Sequence, residues 1–364
     1  MTSLRTVCNP RRLLAVGLAI VAATYIGLAK ERDDDKEKQK GRDSEPYTIG
    51  LFGDMPYNAL GRSQYPALLT DINAARVAFS VYDGDLKAGA DGPCDENLYD
   101  TAIKNFNTLD RPLIWIPGDN DWTDCWGRYG PPTLPYSDPI DRLNLERALF
   151  TASDQSLGRK TLTLDRESYE GAQYAFYSEN VRWKKGSVVY LGLNVQGSND
   201  NYPYTDTDLE IAGAPNRGDI ERQRQRDEQA ARKAANFHWL DEGFAYAQQV
   251  GAKGVMIIWQ ADPNFNNEQK QTNPHEWDAY PPYVDKLRSL TEAFPGQVAL
   301  VHGDSHYFKV DKPINHSSGG GVLNNFTRVE TFGARNTHWV SATIDPDDPN
   351  VFNFQPRIVP GNTN

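Results

Sequence analysis

The chain has 364 residues, of which 39% are hydrophobic and 24% are charged. This composition supplies apolar material for one large core or two modest ones and excludes disorder as the dominant state. Its 38 Lys and Arg stand against 49 Asp and Glu, and the net charge of -11 would repel a polyanion, which argues against a nucleic-acid polymer as partner. Three cysteines are too few for a disulfide-stapled miniature fold or a Cys-rich zinc module.

The N-terminal 29 residues are typical of an export signal. Three arginines precede residue 13, and residues 13–29 are uncharged and mostly apolar. The run is shorter than the roughly 20 residues of a membrane span, and Gly27-Leu28-Ala29 offers the small residues that signal peptidase accepts. We therefore expect cleavage before Lys30 and a secreted, periplasmic or extracellular protein. The alternative is a membrane anchor through residues 13–29.

Export also determines how the cysteines are interpreted. Residues 30–45 are charged and free of large apolar side chains, so they predict a flexible linker ahead of a folded domain at residues 46–364. Cys8 falls in the signal segment, which leaves Cys94 and Cys125 as a pair in an oxidising compartment. We expect them to form a disulfide, with two reduced structural cysteines as the alternative.

Short β-favouring runs alternate with helical patterns in the first part of the folded region. The predicted strands and helices, in chain order, are 47–52, helix 64–76, 77–82, helix 98–108, 113–116 and helix 139–150. This alternation predicts a parallel sheet with helices on its faces, and such sheets carry their functional loops beyond the carboxyl ends of the strands.

The second part of the chain predicts further strands around one long helix. We expect neighbouring antiparallel strands at residues 175–178 and 188–194, and a helix from about Asp219 to Val250 that stops at Gly251. Two buried strands are then predicted, followed by three half-exposed strands of a second sheet. These five strands are 255–259, 298–301, 306–310, 339–344 and 351–354.

Gly-Asp dipeptides follow four of the predicted apolar strands. Their aspartates are Asp54, Asp85, Asp119 and Asp304. We expect each glycine to allow a sharp turn, after which the Asp projects from the edge where parallel strands end. Four converging carboxylates repel one another unless a cation neutralises them, so the pattern favours one or two divalent metal ions. His306 would add an imidazole. The alternative is that these residues serve only as turns or helix caps.

The order of these motifs resembles that of calcineurin-like metallophosphoesterases over residues 47 to about 311. The matching segments are Phe52-Gly-Asp-Met-Pro-Tyr57, Asp83-Gly-Asp-Leu-Lys87, Pro117-Gly-Asp-Asn-Asp-Trp-Thr-Asp-Cys125 and His302-Gly-Asp-Ser-His306. The resemblance implies an α/β fold built as a four-layer αββα sandwich of two mixed sheets. It also implies a two-metal site that hydrolyses phosphoesters.

Carried over by position, the resemblance assigns metal ligands to five residues. Asp54 and His306 would bind the first metal, Asp85 would bridge both metals, and Asp119 would replace the usual Asn on the second. Asp304 stands where the family has a His. The first motif's His is also absent, replaced by Pro56. Substituting Asp for Asn at Asp119 and for His at Asp304 makes the site more anionic, so it favours Mg, Mn or Ca, with Fe or Zn as alternatives.

One family motif supplies a lone His after a strand, and here it reads Ile258-Trp-Gln-Ala-Asp-Pro263. Either Gln260 or Asp262 stands in for that His, and the sequence leaves the choice open. The aromatic residues near the expected mouth of the site either stack on a substrate ring or floor the cleft. They are Tyr57, Trp122, Trp126, Tyr129 and Trp259.

The family's catalytic His is replaced by Asn120, which removes the group expected to protonate the leaving oxygen. General acid catalysis typically contributes a factor of about 10² to 10⁴, so hydrolysis would be slow. Asn120 and Lys87 are the candidate catalytic residues, with Lys87 either a cation for a phosphoryl oxygen or a solvated loop lysine. We expect an exported, divergent phosphoesterase in which metal-activated water attacks a small phosphoester or a phosphorylated substrate. The alternative is a weak or inactive binding module with the same fold.

Overall fold

The computed structural model describes residues 45–89, 91–126, 138–202, 218–265 and 279–363. The elements below belong to the unit Pro46–Asn364. The predicted export signal and nearly all of the predicted linker lie outside the described residues. In the ranges given above, no helix is both long and apolar enough to cross a membrane.

The first of two mixed sheets has five strands in the order β12-β11-β1-β2-β3. These strands are β1 (Tyr47–Phe52), β2 (Ser80–Tyr82), β3 (Leu113–Trp115), β11 (Trp339–Ile344) and β12 (Phe352–Arg357). The first three run parallel, while β11 is antiparallel to both β1 and β12. The carboxyl ends of β1, β2 and β3 therefore meet at one edge.

The second sheet has seven strands in the order β4-β5-β6-β7-β8-β10-β9. They are β4 (Asp165–Arg166), β5 (Val181–Lys185), β6 (Val188–Gly192), β7 (Gly254–Ile258), β8 (Gln297–His302), β9 (Lys309–Asp311) and β10 (Phe326–Glu330). The four strands β6, β7, β8 and β10 are parallel neighbours. Every residue of β6 and β7 is buried, which explains why their sequences are continuous apolar runs rather than alternating ones.

Among the residues described, five helices of more than two turns flank the sheets. They are α1 (Asn58–Ala75), α2 (Glu96–Phe106), α3 (Pro139–Phe150), α4 (Gly218–Gln249) and α5 (Pro281–Ala293). Asp95 caps α2 by accepting the N–H of Leu98 at 3.0 Å, and Asp138 caps α3 by accepting the N–H of Ile140 at 2.9 Å. Such caps satisfy helix N–H groups that have no partner within the helix.

Three apolar cores hold these elements together. One lies between the helices α4 and α5 and the seven-stranded sheet, and another lies between the helices α1 to α3 and the five-stranded sheet. The third combines side chains of both sheets. Alternation along the strands separates the cores: Ile257 of β7 packs toward α4, whereas Ile258 packs toward the other sheet. The chain is thus a mixed α/β protein with two mixed sheets.

Most predicted elements are confirmed, and strands 47–52 and 339–344 and helix 139–150 match to the residue. The predicted strand 175–178 is wrong, because this stretch follows a 3-10 turn and exposes Phe176. The antiparallel neighbour of β6 is instead β5, whose Val181 and Trp183 are buried.

The predicted membership of the second sheet is also wrong. Residues 339–344 and 352–357 form β11 and β12 in the five-stranded sheet of β1. Of the three strands predicted to share a sheet, only β9 (Lys309–Asp311) belongs to the seven-stranded sheet, as its edge strand. Local alternation reveals a strand but not its partner, since pairing joins distant segments. The strand β10 escaped prediction because its charged Arg328 and Glu330 are buried, with Arg328 paired to Asp311.

Candidate functional site

Asp54, Asp85, Asp119 and Asp304 are brought together at the ends of β1, β2, β3 and β8. Asp304 comes from the other sheet, and its backbone N–H donates to Asp54 Oδ2 at 3.0 Å. Asp119 and Asp304 both border Gly197, where a Cβ would lie 2.6 Å from Asp119 Oδ2 and 2.8 Å from Asp304 Oδ1. The two sheets thus contribute carboxylates to one cluster, which we call the acidic cluster.

The glycines of the Gly-Asp corners act mainly by leaving space. A Cβ at Gly118 would lie 2.1 Å from Asp85 Oδ1, and one at Gly303 would lie 2.0 Å from Asp54 Oδ2. Gly118 and Gly303 therefore make room for the carboxylate of a neighbouring corner. We expected the glycine to make the turn, but of the four corners only Gly84 has a positive φ, of 110°.

Four residues of the candidate site have a strained backbone conformation. Asp54, Asp85, Asp304 and His306 have φ values of 49°, 68°, 73° and 64°, in the left-handed region that residues with a Cβ rarely adopt. Such conformations persist only where the surroundings enforce them, and they cluster at active and ligand-binding sites. The strain therefore marks this edge as a candidate functional site independently of any motif.

Asp85 is held by hydrogen bonds from the protein. Its Oδ2 accepts from the Tyr57 hydroxyl at 2.6 Å and from Asn120 Nδ2 at 2.6 Å, and its Oδ1 accepts from the Asn120 backbone N–H at 3.0 Å. The same Tyr57 hydroxyl lies 3.3 Å from Asp54 Oδ1. Tyr57 was expected near the mouth of the site, whereas it joins two carboxylates inside the acidic cluster.

His306 contacts the acidic cluster on the side of Asp54. Its Nε2 lies 3.3 Å from Asp54 Oδ1, and its ring meets the Tyr57 ring edge-on at 5.2 Å between centroids. Burial lowers the pKa of His306, but Asp54, with smaller contributions from Asp119 and Glu330, more than offsets burial and raises it overall. The imidazolium form therefore contributes positive charge beside Asp54.

The acidic cluster carries more negative charge than its hydrogen bonds compensate. The pKa of Asp85 is raised well above its usual range. Burial is the largest cause, and the charges of Asp119 and Asp54 come next. The pKa of Asp304 is raised in the same way, by burial and then by Asp119 and Asp54. Without a cation, part of this charge is removed by protonation.

A left-handed turn supports Asp119 from the end of β6. Four successive residues have positive φ, namely Ser198 (54°), Asn199 (57°), Asp200 (54°) and Asn201 (61°). The Ser198 hydroxyl lies 2.7 Å from Asp119 Oδ2 and 2.9 Å from Asp124 Oδ2. No motif indicated this turn, and only its Gly-Ser-Asn-Asp-Asn composition suggests tolerance of such a backbone.

Buried ion pairs fix that turn to the long helix. Arg232 of α4 is fully buried and pairs with Asp200, and it also binds Glu228 at 2.7 Å. The guanidinium donates to the carbonyl oxygens of Asn194 at 2.9 Å and Asp200 at 2.8 Å. Arg232 thus ties the end of β6 to α4, a role that the sequence did not suggest.

The two candidates for the missing lone His occupy different places. Gln260 Oε1 accepts the Gly197 N–H at 2.5 Å, and its Nε2 lies 3.4 Å from Asp119 Oδ1. Asp262 instead accepts from the Ser305 hydroxyl at 2.6 Å, and its N–H donates to Asp304 Oδ2 at 3.1 Å. Gln260 is therefore the residue whose side chain reaches the acidic cluster.

Asp121 organises the loop rather than facing the acidic cluster. Its carboxylate accepts the backbone N–H groups of Asp85, Leu86 and Gly118 at 3.1, 2.6 and 2.9 Å. Burial raises its pKa to about 6, although these hydrogen bonds act in the opposite direction. Asp121 therefore fixes the β2 and β3 loops relative to each other.

The remaining sequence candidates are placed as follows. Lys87 is buried, and its Nζ lies 3.3 and 3.4 Å from the carbonyl oxygens of Ala88 and Gly89. Trp122 and Trp259 are fully buried core residues, which excludes stacking on a substrate. Tyr129 and the side chain of Trp126 lie outside the described residues.

The predicted disulfide between Cys94 and Cys125 is confirmed. Cys94 precedes the cap of α2, and Cys125 ends the loop that begins at Asp119. The Tyr99 hydroxyl donates to the carbonyl oxygen of Asp121 at 2.8 Å and ties α2 to the same loop. The disulfide therefore joins the loop between β2 and α2 to the loop that follows β3, next to the acidic cluster.

The donors of the acidic cluster suit a hard divalent cation in chemistry, since carboxylate oxygens dominate and one imidazole joins them. The raised pKa values of Asp85 and Asp304 indicate that a positive charge beside them would be stabilised. In the described ranges, however, no three or more His, Cys, Asp or Glu side chains stand as a group that would hold a metal ion. Protein donors engage the same oxygens, above all Tyr57 and Asn120 on Asp85.

Comparisons with known proteins give distant similarities. No family model matches the chain, and no curated protein matches it. A solved structure of PhoD has a TM-score of 0.47 at 9% identity, over 83% of this chain and 64% of that one. The structure of GAP50, the anchor in the inner membrane complex of Plasmodium, has a TM-score of 0.38 at 9% identity, over 86% of this chain and 89% of that one. Similarities of this size establish neither family nor activity for this chain.

Proposed function

We propose that this chain is an exported, divergent member of the calcineurin-like metallophosphoesterases that hydrolyses phosphoesters with the help of divalent cations. The observation that carries the proposal is the acidic cluster, which brings four carboxylates from both sheets to one region, three of them on residues with positive φ. The motif order along the sequence supports it. The three cores support a four-layer αββα sandwich, since helices pack on one side of each sheet and the sheets share a core.

Asp54, Asp85, Asp119, Asp304 and His306 would hold one or two cations. Their oxygen-rich chemistry favours Mg, Mn or Ca over Fe or Zn. When bound, a divalent cation there supplies Lewis-acid activation of water and of the phosphoryl group. The raised pKa values of Asp85, Asp304 and His306 mean that these side chains hold their protons more tightly. A cation must displace these protons to bind, so cation affinity rises with pH.

The side chains of the chain itself would orient the reacting groups. Tyr57 and Asn120 fix the direction of Asp85, and Ser198 and Gln260 fix Asp119 from the other side. Asn120 stands where the family has a His, and its side-chain amide donates to Asp85 and Tyr57, so it supplies no proton to a leaving group. Turnover is therefore expected to favour phosphoesters with good leaving groups, such as aryl esters.

The experiment is a phosphoester panel with cation-depleted protein. We expect hydrolysis of p-nitrophenyl phosphate or bis(p-nitrophenyl) phosphate that appears with Mn²⁺, Mg²⁺ or Ca²⁺ and disappears with chelator. An alkyl phosphate of similar size should react at least about 10²-fold more slowly, because no general acid assists its leaving group. Equal activity with and without chelator would contradict the cation-dependent mechanism.

A second candidate is a binding module with the same fold and no turnover. The observation that favours it is that protein donors already engage both oxygens of Asp85, and that Asn120 stands where the family has its catalytic His. Saturable cation binding without hydrolysis of any ester in the panel would support the module. Absence of both binding and turnover would support the third interpretation, in which the Gly-Asp corners are only turns.

Export is part of the proposal. The apolar segment at residues 13–29 and the disulfide between Cys94 and Cys125 both suit an oxidising compartment outside the cytoplasm. The expected substrate is a small phosphoester or a phosphorylated molecule, and the net charge of -11 disfavours a nucleic-acid polymer. A membrane tether through residues 13–29 remains the alternative to cleavage.

A further inference from the structure

A cavity of about 290 Å³ lies beside the acidic cluster but is separate from it. For comparison, an engineered apolar cavity of about 150 Å³ takes up benzene. Its walls come from α1, from α2, and from the residues that directly follow Asp54 and Asp85. None of the four aspartates of the acidic cluster lines it.

Most of the wall is apolar. The α2 side contributes Leu98, Ala102 and Phe106, and the α1 side contributes Tyr65 and Pro66. Ligand sites typically combine such walls with a small number of placed polar groups. The cavity therefore suits the hydrocarbon part of a small molecule, of the size of an aryl ring or a short alkyl chain.

Three charged residues complete the wall, and two of them neutralise each other. Arg62 pairs with Asp91 at 2.7 Å, and both side chains are partly exposed. Lys87 is only 4% exposed, and its ammonium group donates to the carbonyl oxygens of Ala88 and Gly89 at the long distances of 3.3 and 3.4 Å. Neither of these acceptors carries a charge.

In the residues that the structure describes, the Lys87 ammonium group donates to no carboxylate. The nearby carboxylate of Asp121 accepts three backbone N–H groups, and the charge of Lys87 opposes the rise of its pKa without a direct hydrogen bond. A buried ammonium group is stabilised by an anion in direct contact. An anionic head beside Lys87 would make that contact, while the apolar wall would bury the rest of the molecule.

We propose that this cavity binds a small amphipathic anion, with its singly charged head on Lys87 and its alkyl or aryl body against α2. The proposal does not depend on the proposed hydrolysis, since neither the cavity nor the ligand requires the acidic cluster. It also gives Lys87 a role different from that of a cation for a phosphoryl oxygen.

The test is calorimetric titration of the full chain with n-octanesulfonate, which contains no phosphoester, and with 1-octanol as its neutral match. Wild-type protein is expected to bind one n-octanesulfonate per chain. Lys87→Met keeps an unbranched side chain, one atom shorter, but removes its charge. It should weaken the binding of n-octanesulfonate at least tenfold and leave the binding of 1-octanol unchanged. Lys104→Met, on the exposed part of α2, should bind both as wild type does.

A second variant changes the apolar wall of the cavity and leaves the charge of Lys87 in place. Ala102→Leu places a larger side chain in the cavity and should weaken both probes. The proposal is overturned if wild-type protein shows no saturable binding of n-octanesulfonate. It is equally overturned if folded Lys87→Met, or Ala102→Leu, binds this probe as tightly as wild type does.

Discussion

Asp85→Asn is expected to lower cation affinity and phosphoester turnover by at least about 100-fold. Even partners that merely orient a metal ligand cost about 10- to 100-fold when removed, and Asp85 is the residue that would contact both cations. Asp304→Asn is expected to cause only a partial loss, because it would affect one cation and retains an amide oxygen. Steady-state kinetics and cation titration of the two variants measure the difference.

The same substitution is expected to leave the cation-free protein as stable as wild type or more stable. Burial and the charges of Asp119 and Asp54 raise the pKa of Asp85, so the folded state retains a proton that the unfolded chain releases near pH 4. The stability of wild type therefore falls as pH rises from about 4 through the folded-state pKa. An uncharged residue avoids this loss, and Asn120 can turn its amide to offer an oxygen to the new amide.

Thermal melts of chelator-treated protein check this sign. The melting temperature of Asp85→Asn should equal or exceed that of wild type at pH 7, and any gain should vanish below about pH 4, where both states of the wild type are protonated. Asp100→Asn on the exposed face of α2 is the control. It should change neither the melting temperature at pH 7 nor the dependence of the melting temperature on pH. Unchanged turnover and cation affinity in folded Asp85→Asn would place the functional site elsewhere.

Arg232→Met is expected to destabilise the fold by about 3–5 kcal/mol, since removing one partner of a buried ion pair leaves the other charges uncompensated. Arg232 is fully buried, and its loss leaves the charge of Asp200 without its cationic partner and removes one donor from the carbonyl oxygens of Asn194 and Asp200. Urea unfolding measures the free energy. Turnover should fall as well, because the left-handed turn that presents Ser198 to Asp119 depends on this anchor.

The matched control is an exposed arginine with a single carboxylate partner. Arg159 pairs with Asp110 at 2.7 Å, and both side chains are more than half exposed. Exposed pairs contribute about 0–1 kcal/mol, so Arg159→Met should be close to neutral. If Arg232→Met were no more destabilising than Arg159→Met, Arg232 would not be the anchor of the turn.

The sequence was sufficient for those parts of the fold that depend on local pattern. The apolar run of β1 and the helical pattern of α3 predicted both elements to the residue. The partner of β11 was not predictable in this way, because β11 alternates as an exposed strand does yet pairs with β1, almost 300 residues earlier. Local patterns carry no information about such long-range pairing.

In the candidate site, too, the sequence predicted the residues that belong to local motifs but not those placed by long-range contacts. The Gly-Asp corners predicted that Asp54, Asp85, Asp119 and Asp304 converge, because strand ends share an edge. The role of the Tyr57 hydroxyl could not be predicted, since its position depends on the turn after β1. The turn at Ser198 could not be predicted either, because its backbone is fixed by Arg232, a residue of the long helix that lies distant in sequence.

The most direct measurement of the central claim is a calorimetric titration of chelator-treated wild-type protein with Mn²⁺ at two pH values. The acidic cluster predicts saturable binding of one or two ions per chain. It also predicts a higher affinity at pH 8 than at pH 6, because Asp85, Asp304 and His306 hold protons that the cation must displace. Absence of saturable binding at both pH values would contradict the claim that these carboxylates form a cation site.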